Sequence, residues 1–160
     1  LKDKRMQDAA RRGNELHAIL ASTRTLDTLP RSVADYCARA GLDSEKGAEY
    51  LTELSDAVTA GGELVASWFD PVCRVFAERS IYVAGSDESF RPDRIIIRPD
   101  GHTTVVDYKF TFEPRPEHFE QIENYITLME KIGHKSPDAY LWYPLLRRII
   151  PVKKANSGEK

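Results

Sequence analysis

Apolar positions recur every three to four residues over the first seventy positions, then give way to runs and alternation. Met6, Ala10, Gly13, Leu16 and Leu20 share one face, which predicts a helix over about residues 2–22. A second helix is predicted over 31–39, stopped by Ala40-Gly41. A third starts near Ser44, carries Ala48, Leu51, Leu54 and Val58 on one face, and stops at Gly61-Gly62. A short fourth covers 62–69 before Asp70-Pro71. The period then shortens to that of strands over 72–84, 90–98 and 103–110. Pro116 and Glu117 open a long helix running to Gly133, with Phe119, Ile122, Ile126 and Met129 in its apolar stripe. Strands over 139–143 and 148–152 complete the series.

In that order the elements predict an α/β chain, with an N-terminal helical region followed by a central mixed sheet that contains an antiparallel hairpin and is flanked by helices. At 160 residues, 41% hydrophobic and 30% charged, the chain can bury a core of its own. We expect one domain over 1–152, divided into a helical part (1–70) and a sheet core (71–152), and a frayed polar tail over 153–160. The opening Leu1-Lys2-Asp3-Lys4 has no methionine and already lies in a helical pattern, so a piece of a longer polypeptide is expected.

The candidate chemistry sits on the predicted hairpin. In Arg98-Pro99-Asp100-Gly101-His102, proline presets the first turn position and Gly101 supplies the positive φ that closes a three-residue loop. If Arg98 pairs with His102, Asp93 falls opposite Asp107, with Cβ atoms roughly 5 Å apart. Lys109, two residues beyond Asp107, points to the same face by strand alternation. Ile95-Ile96-Ile97 and Val105-Val106 are apolar on both faces, which predicts that the hairpin is central. Two carboxylates and an ammonium on one face fit two arrangements. One is a cross-strand salt bridge on a solvated surface. The other is a divalent-metal phosphodiesterase site, where the carboxylates hold Mg2+ or Mn2+ and the lysine steadies the attacking hydroxide or the developing charge. A carboxylate emerging from a buried strand must be paired, hydrogen-bonded or metal-bound to offset its desolvation, and a cation meets that need.

Pro92-Asp93, followed after thirteen residues by Asp107-Tyr108-Lys109, matches the PD-(D/E)xK pattern of the restriction-endonuclease-like phosphodiesterases. Four stretches in order carry a narrower likeness: Gly13-Asn14-Glu15-Leu16-His17, Phe90-Arg91-Pro92-Asp93-Arg94-Ile95, Val105-Val106-Asp107-Tyr108-Lys109, and Gln121-x-x-x-Tyr125. With them the chain resembles the RecB-type nuclease domain at the C-terminal end of bacterial recombination helicase-nucleases of the AddA kind. The resemblance implies a restriction-endonuclease-like core and a Mg2+- or Mn2+-dependent DNA nuclease of repair and recombination. Its substrate would be DNA, expected as single strands fed by a helicase motor upstream in the parent chain. His17, Asp93, Asp107 and the backbone carbonyl of Tyr108 are implied as metal ligands, and Lys109 as the catalytic lysine. Gln121 and Tyr125 resemble a pair that braces the lysine region and contacts the strand. Glu78 resembles an acid placed near the metal, and a simple pair with Arg79 accounts for it equally. The chain departs from the family in having Phe90-Arg91-Pro92 where a glycine often shortly precedes the first aspartate.

Each of these residues also has an ordinary structural explanation. A lone helical histidine such as His17 is commonly structural, Tyr125 fits a half-buried aromatic, and Gln121 fits a surface helix former. His102, His118 and His134 receive no role. Cys37 and Cys73, the only cysteines, lie in apolar contexts without a CxxC, which predicts buried free thiols in a reducing compartment. Two cysteines are too few for the iron–sulfur cluster of some RecB-like relatives, so none is expected. There is no GxxxxGK[ST] phosphate loop, so any ATP motor lies outside this stretch. No apolar run is long enough to span a bilayer and no cleavable signal opens the chain, so a cytoplasmic setting without a membrane partner is expected. The net charge of −2 argues against tight autonomous DNA binding. Lys4, Arg5, Arg11 and Arg12, with Arg91 and Arg94, either line a path for the phosphate backbone or form solvated surface. The competing functional class is a catalytically silent module that guides DNA or docks a second helicase-nuclease subunit. A nuclease of the same fold acting on RNA or a site-specific duplex is a third, and no base-reading motif favours it.

Overall fold

The computed structural model describes residues 2–154, which fall into two compact units. The first comprises 2–71 together with 109–112 and 143–148; the second comprises 72–108, 113–142 and 149–154. The polar tail expected over 153–160 lies outside the described residues from 155 onward.

The first unit is helical: α1 (Lys2–Ser22), a 3-10 turn (Leu26–Thr28), α2 (Leu29–Ala40) and α3 (Ser44–Trp68). α2 ends where Gly41 takes φ 70°, a left-handed position that costs glycine nothing, and the N–H of Leu42 donates to the Cys37 carbonyl at 2.9 Å. α3 begins at Asp43, whose side chain accepts from the Lys46 N–H at 2.8 Å. Within α3, Gly62 leaves the helical region (φ 59°, ψ −143°), so the predicted stop at Gly61-Gly62 is a kink between two helical segments. Leu16 and Ile19 of α1, Leu29, Val33 and Cys37 of α2, and Tyr50 and Leu54 of α3 make one buried cluster, joined by Phe110 and Leu145 from the two later segments. Each such fully buried large aliphatic side chain stabilises the fold by about 1.5–3 kcal/mol.

The second unit is built on a mixed five-stranded sheet in the order β1 (Arg74–Ala77), β4 (Arg94–Ile97), β5 (Thr103–Tyr108), β6 (Asp138–Tyr143), β7 (Arg148–Val152). A separate ribbon pairs β2 (Ile81–Tyr82) with β3 (Ser89–Phe90). β1–β4 and β4–β5 are antiparallel and β5–β6 is parallel. The parallel step requires a crossover, and α4 (Pro116–Lys131) supplies it, packing on β5. Pro116 occupies the first turn, and the Arg115 N–H donates to His118 Nδ1 at 3.3 Å. β4 and β5 are interior strands, as their apolar character on both faces predicts, and Ile96, Val105 and Val106 are fully buried.

Three strand expectations need correction. The run 72–84 is not one strand: β1 stops at Ala77, Glu78 turns into the left-handed region with φ 54°, and the chain leaves the sheet to form the ribbon. The run 90–98 is divided between β3 and β4 because the stretch containing Pro92, which has no N–H for a ladder, separates them. β5 ends at Tyr108, so strand alternation stops one residue short of Lys109.

Candidate metal centre

The hairpin register is the predicted one. Arg94 pairs with Val106, Ile95 with Val105, Ile96 with Thr104 and Ile97 with Thr103. The Arg98 N–H donates to the His102 carbonyl at 2.9 Å, and Gly101 takes φ 89°. One step beyond the ladder, Asp93 stands opposite Asp107, and there a side chain takes over from the backbone. The Tyr108 N–H donates to Asp93 Oδ2 at 2.7 Å, while the Asp93 carbonyl accepts from the Glu78 N–H at 3.2 Å. Asp93 and Asp107 are both buried, at 9% and 2% exposure.

Glu78, which periodicity assigned to a long strand, is brought to the same place by its turn. Left-handed backbone at a non-glycine residue costs about 1–2 kcal/mol. The turn aims its carboxylate to within 4.8 Å of that of Asp93, and Arg91 meets it at 3.4 Å. All three acids act on one phenol: burial raises the pKa of Tyr125 most, and the negative charges of Asp107, Asp93 and Glu78 raise it further against a lowering hydrogen bond from Gln121.

Arg94 is not the solvent-facing cation that its sequence position suggests. It is fully buried. Burial drives the neighbouring Tyr108 phenol upward, the Arg94 charge pulls it back, and Asp93 and Asp107 push it up again, so a buried guanidinium lies among these groups. A buried arginine is tolerated only when paired and hydrogen-bonded. The signal was present in the sequence: a strand apolar on both faces must bury its first residue as well as its isoleucines.

In the first unit, Gly13 and His17 are one turn apart on α1. A Cβ on Gly13 would lie 3.1 Å from the Phe110 carbonyl oxygen and 3.2 Å from the Phe110 Cβ. The His17 ring meets the Phe110 ring edge-on, centroids 6.2 Å apart. Phe110 thus runs along the Gly13–His17 face, and it follows Asp107 in the chain by only three residues. Lys109, between Tyr108 and Phe110, is half-buried. The close approach that glycine permits is made by the chain's own backbone.

Gln121 and Tyr125 face the stretch before Asp93. Gln121 Nε2 donates to the Tyr125 hydroxyl at 3.1 Å, and that hydroxyl donates to the Arg91 carbonyl at 3.3 Å. The Tyr125 ring is 7% exposed and packs near Phe90, centroids 5.8 Å apart. Of the unassigned histidines, His102 pairs with Asp138 at 2.8 Å and His134 bonds Thr103 at 2.9 Å. Both cysteines are free and buried.

The donors suit a small hard dication. Mg2+ and Mn2+ favour carboxylate and carbonyl oxygens, and an imidazole nitrogen is compatible with Mn2+. Carboxylates within 4.8 Å of each other at a strand end match the spacing of ligands that share one ion. Among known proteins, no family model and no curated protein matches the chain. No helix among the described residues is long and apolar enough to cross a membrane.

Proposed function

We propose that this chain is the divalent-metal-dependent nuclease domain of a bacterial repair and recombination helicase-nuclease of the AddA kind, hydrolysing phosphodiester bonds of DNA delivered as single strands. A helicase motor elsewhere in the parent chain, a second subunit and a cytoplasmic setting belong to this reading. The observation that carries it is the pair of buried carboxylates, Asp93 opposite Asp107, at the end of an interior hairpin, with the Glu78 carboxylate within 4.8 Å of that of Asp93. An assembly of buried like charges is unfavourable unless cations offset it, and Arg94 and Arg91 supply two of those charges within the second unit.

Asp93 and Asp107, with Glu78 and the Tyr108 carbonyl, would hold Mg2+ or Mn2+, and His17 is the further ligand that the resemblance implies. When bound, such an ion polarises a phosphate oxygen and makes water nucleophilic near neutral pH. Asp93 keeps its orientation because the Tyr108 amide holds one of its oxygens. Lys109, continuing directly from β5, would steady negative charge developing on the phosphate oxygens as the ester bond breaks. Incubating the purified chain with labelled single- and double-stranded oligonucleotides, with and without Mn2+, tests the reading. Cleavage is expected only with the ion. Asp107→Ala and Lys109→Ala are expected to abolish it with an unchanged circular-dichroism spectrum, and normal cleavage by both variants would refute the assignment.

A further inference from the structure

Arg91 stands two residues before Asp93 with its backbone anchored and its side chain loosely held. The Gln121–Tyr125 pair grips its carbonyl through bonds of 3.1 and 3.3 Å. Its chain neighbours Phe90 and Pro92 are both buried. The side chain, in contrast, is 58% exposed, and its guanidinium reaches Glu78 Oε2 through one nitrogen at 3.4 Å. A well-formed charge-assisted pair is about 2.7–2.9 Å long and often bidentate. A fixed backbone that carries a half-exposed, singly engaged guanidinium beside a carboxylate cluster is suited to exchanging one anion for another.

We propose that Arg91 is a binding residue for a backbone phosphate of the polynucleotide, parked on Glu78 until a divalent cation takes that carboxylate. Gln121 and Tyr125 then serve as positioning residues that act through Arg91, since the Tyr125 hydroxyl already donates to its carbonyl. The inference rests on the nuclease reading and deepens it by coupling cation and strand at one site. Guanidinium suits the task because its planar fork matches two phosphate oxygens. Arg91 competes with the cation for Glu78, so its removal has opposite effects on the two ligands.

Two measurements on the full chain test this. The first is calorimetric titration with Mn2+ alone. The second is fluorescence anisotropy with a labelled oligo-dT in Mn2+ across a salt series, in a Lys109→Ala background that prevents cleavage. Arg91→Gln is expected to tighten Mn2+ binding severalfold, to weaken oligo-dT binding about tenfold, and to lower the salt slope by about 0.7. Arg91→Lys should keep the slope and recover part of the affinity. Tyr125→Phe should weaken oligo-dT binding alone yet add little to Arg91→Gln, whereas a purely structural tyrosine would add its effect in full. Unchanged oligo-dT affinity and slope in Arg91→Gln, or weaker Mn2+ binding, would overturn the proposal while normal Mn2+ binding left the nuclease reading standing. Absence of Mn2+ binding by the wild-type chain would overturn both.

Discussion

Glu78 is the residue where conformation and chemistry meet. Its φ of 54° is a position that glycine adopts without strain, yet a glutamate occupies it and turns its carboxylate toward that of Asp93. If the site is the reason for that strain, Glu78→Gly loses function without losing stability. The relieved backbone strain, about 1–2 kcal/mol, offsets both the lost Arg91 pair and the added chain entropy, so the thermal midpoint should hold or rise while Mn2+ affinity falls. A midpoint drop with unchanged Mn2+ affinity would make Glu78 a structural residue. Gly13 gives the reverse case. Placing Cβ 3.1 Å from the Phe110 carbonyl oxygen overpacks a contact that is partly backbone. The overpacking loss of about 1–3 kcal/mol exceeds the roughly 1 kcal/mol that alanine adds to a helix. Gly13→Ala is therefore expected to unfold at lower denaturant concentration by about 1 kcal/mol, and a stabilised variant would contradict the close packing. Asp93 opposite Asp107 was legible in the sequence because a hairpin register depends on local turn chemistry. The turn at Glu78 was not legible in the periodicity, which runs a strand through it, because that turn is defined by a bond to Asp93, fifteen residues away in the chain.

At the scale of elements, α1, α2 and α4 were readable to within a few residues because each is specified by its own apolar stripe and stops, whereas α3 reads in the sequence as two helices broken at Gly61-Gly62. The strands after Pro71 were less so. An alternating pattern does not reveal where a chain leaves one sheet to pair in another, so the ribbon of β2 with β3 was not readable from it. What ties the helical unit together is also non-local: Glu53 of α3 receives Arg12 of α1 at 3.2 Å and Arg147 of the 143–148 segment at 2.7 Å. Burial raises the Glu53 pKa, but the hydrogen bonds and charges of Arg147 and Arg12 outweigh it, and the net shift is downward. A carboxylate with a depressed folded pKa stabilises the fold above its unfolded pKa, and this contribution disappears as pH falls through the lower folded value. Glu53→Gln should accordingly be less stable than wild type in urea unfolding at neutral pH, with the gap closing below roughly pH 4.5. A gap that persists unchanged at pH 3 would mean that the arginines contribute packing rather than charge.

Across the whole molecule, a net charge of −2 and buried acids supply no net positive field that would attract a polyanion. Arg94, buried with Asp93 and Asp107, serves the interior, and Arg11 and Arg12 are engaged with Asp8 and with Glu49 and Glu53. In the proposed nuclease the local field is reversed by a bound dication, which is often the largest charge in such a site. Calorimetric titration of the wild-type chain and of Asp93→Ala with Mn2+ reads this most directly. Saturable binding by the wild type is expected to disappear in Asp93→Ala while the variant remains folded. Equal binding by both proteins, or heat from neither, would contradict that expectation.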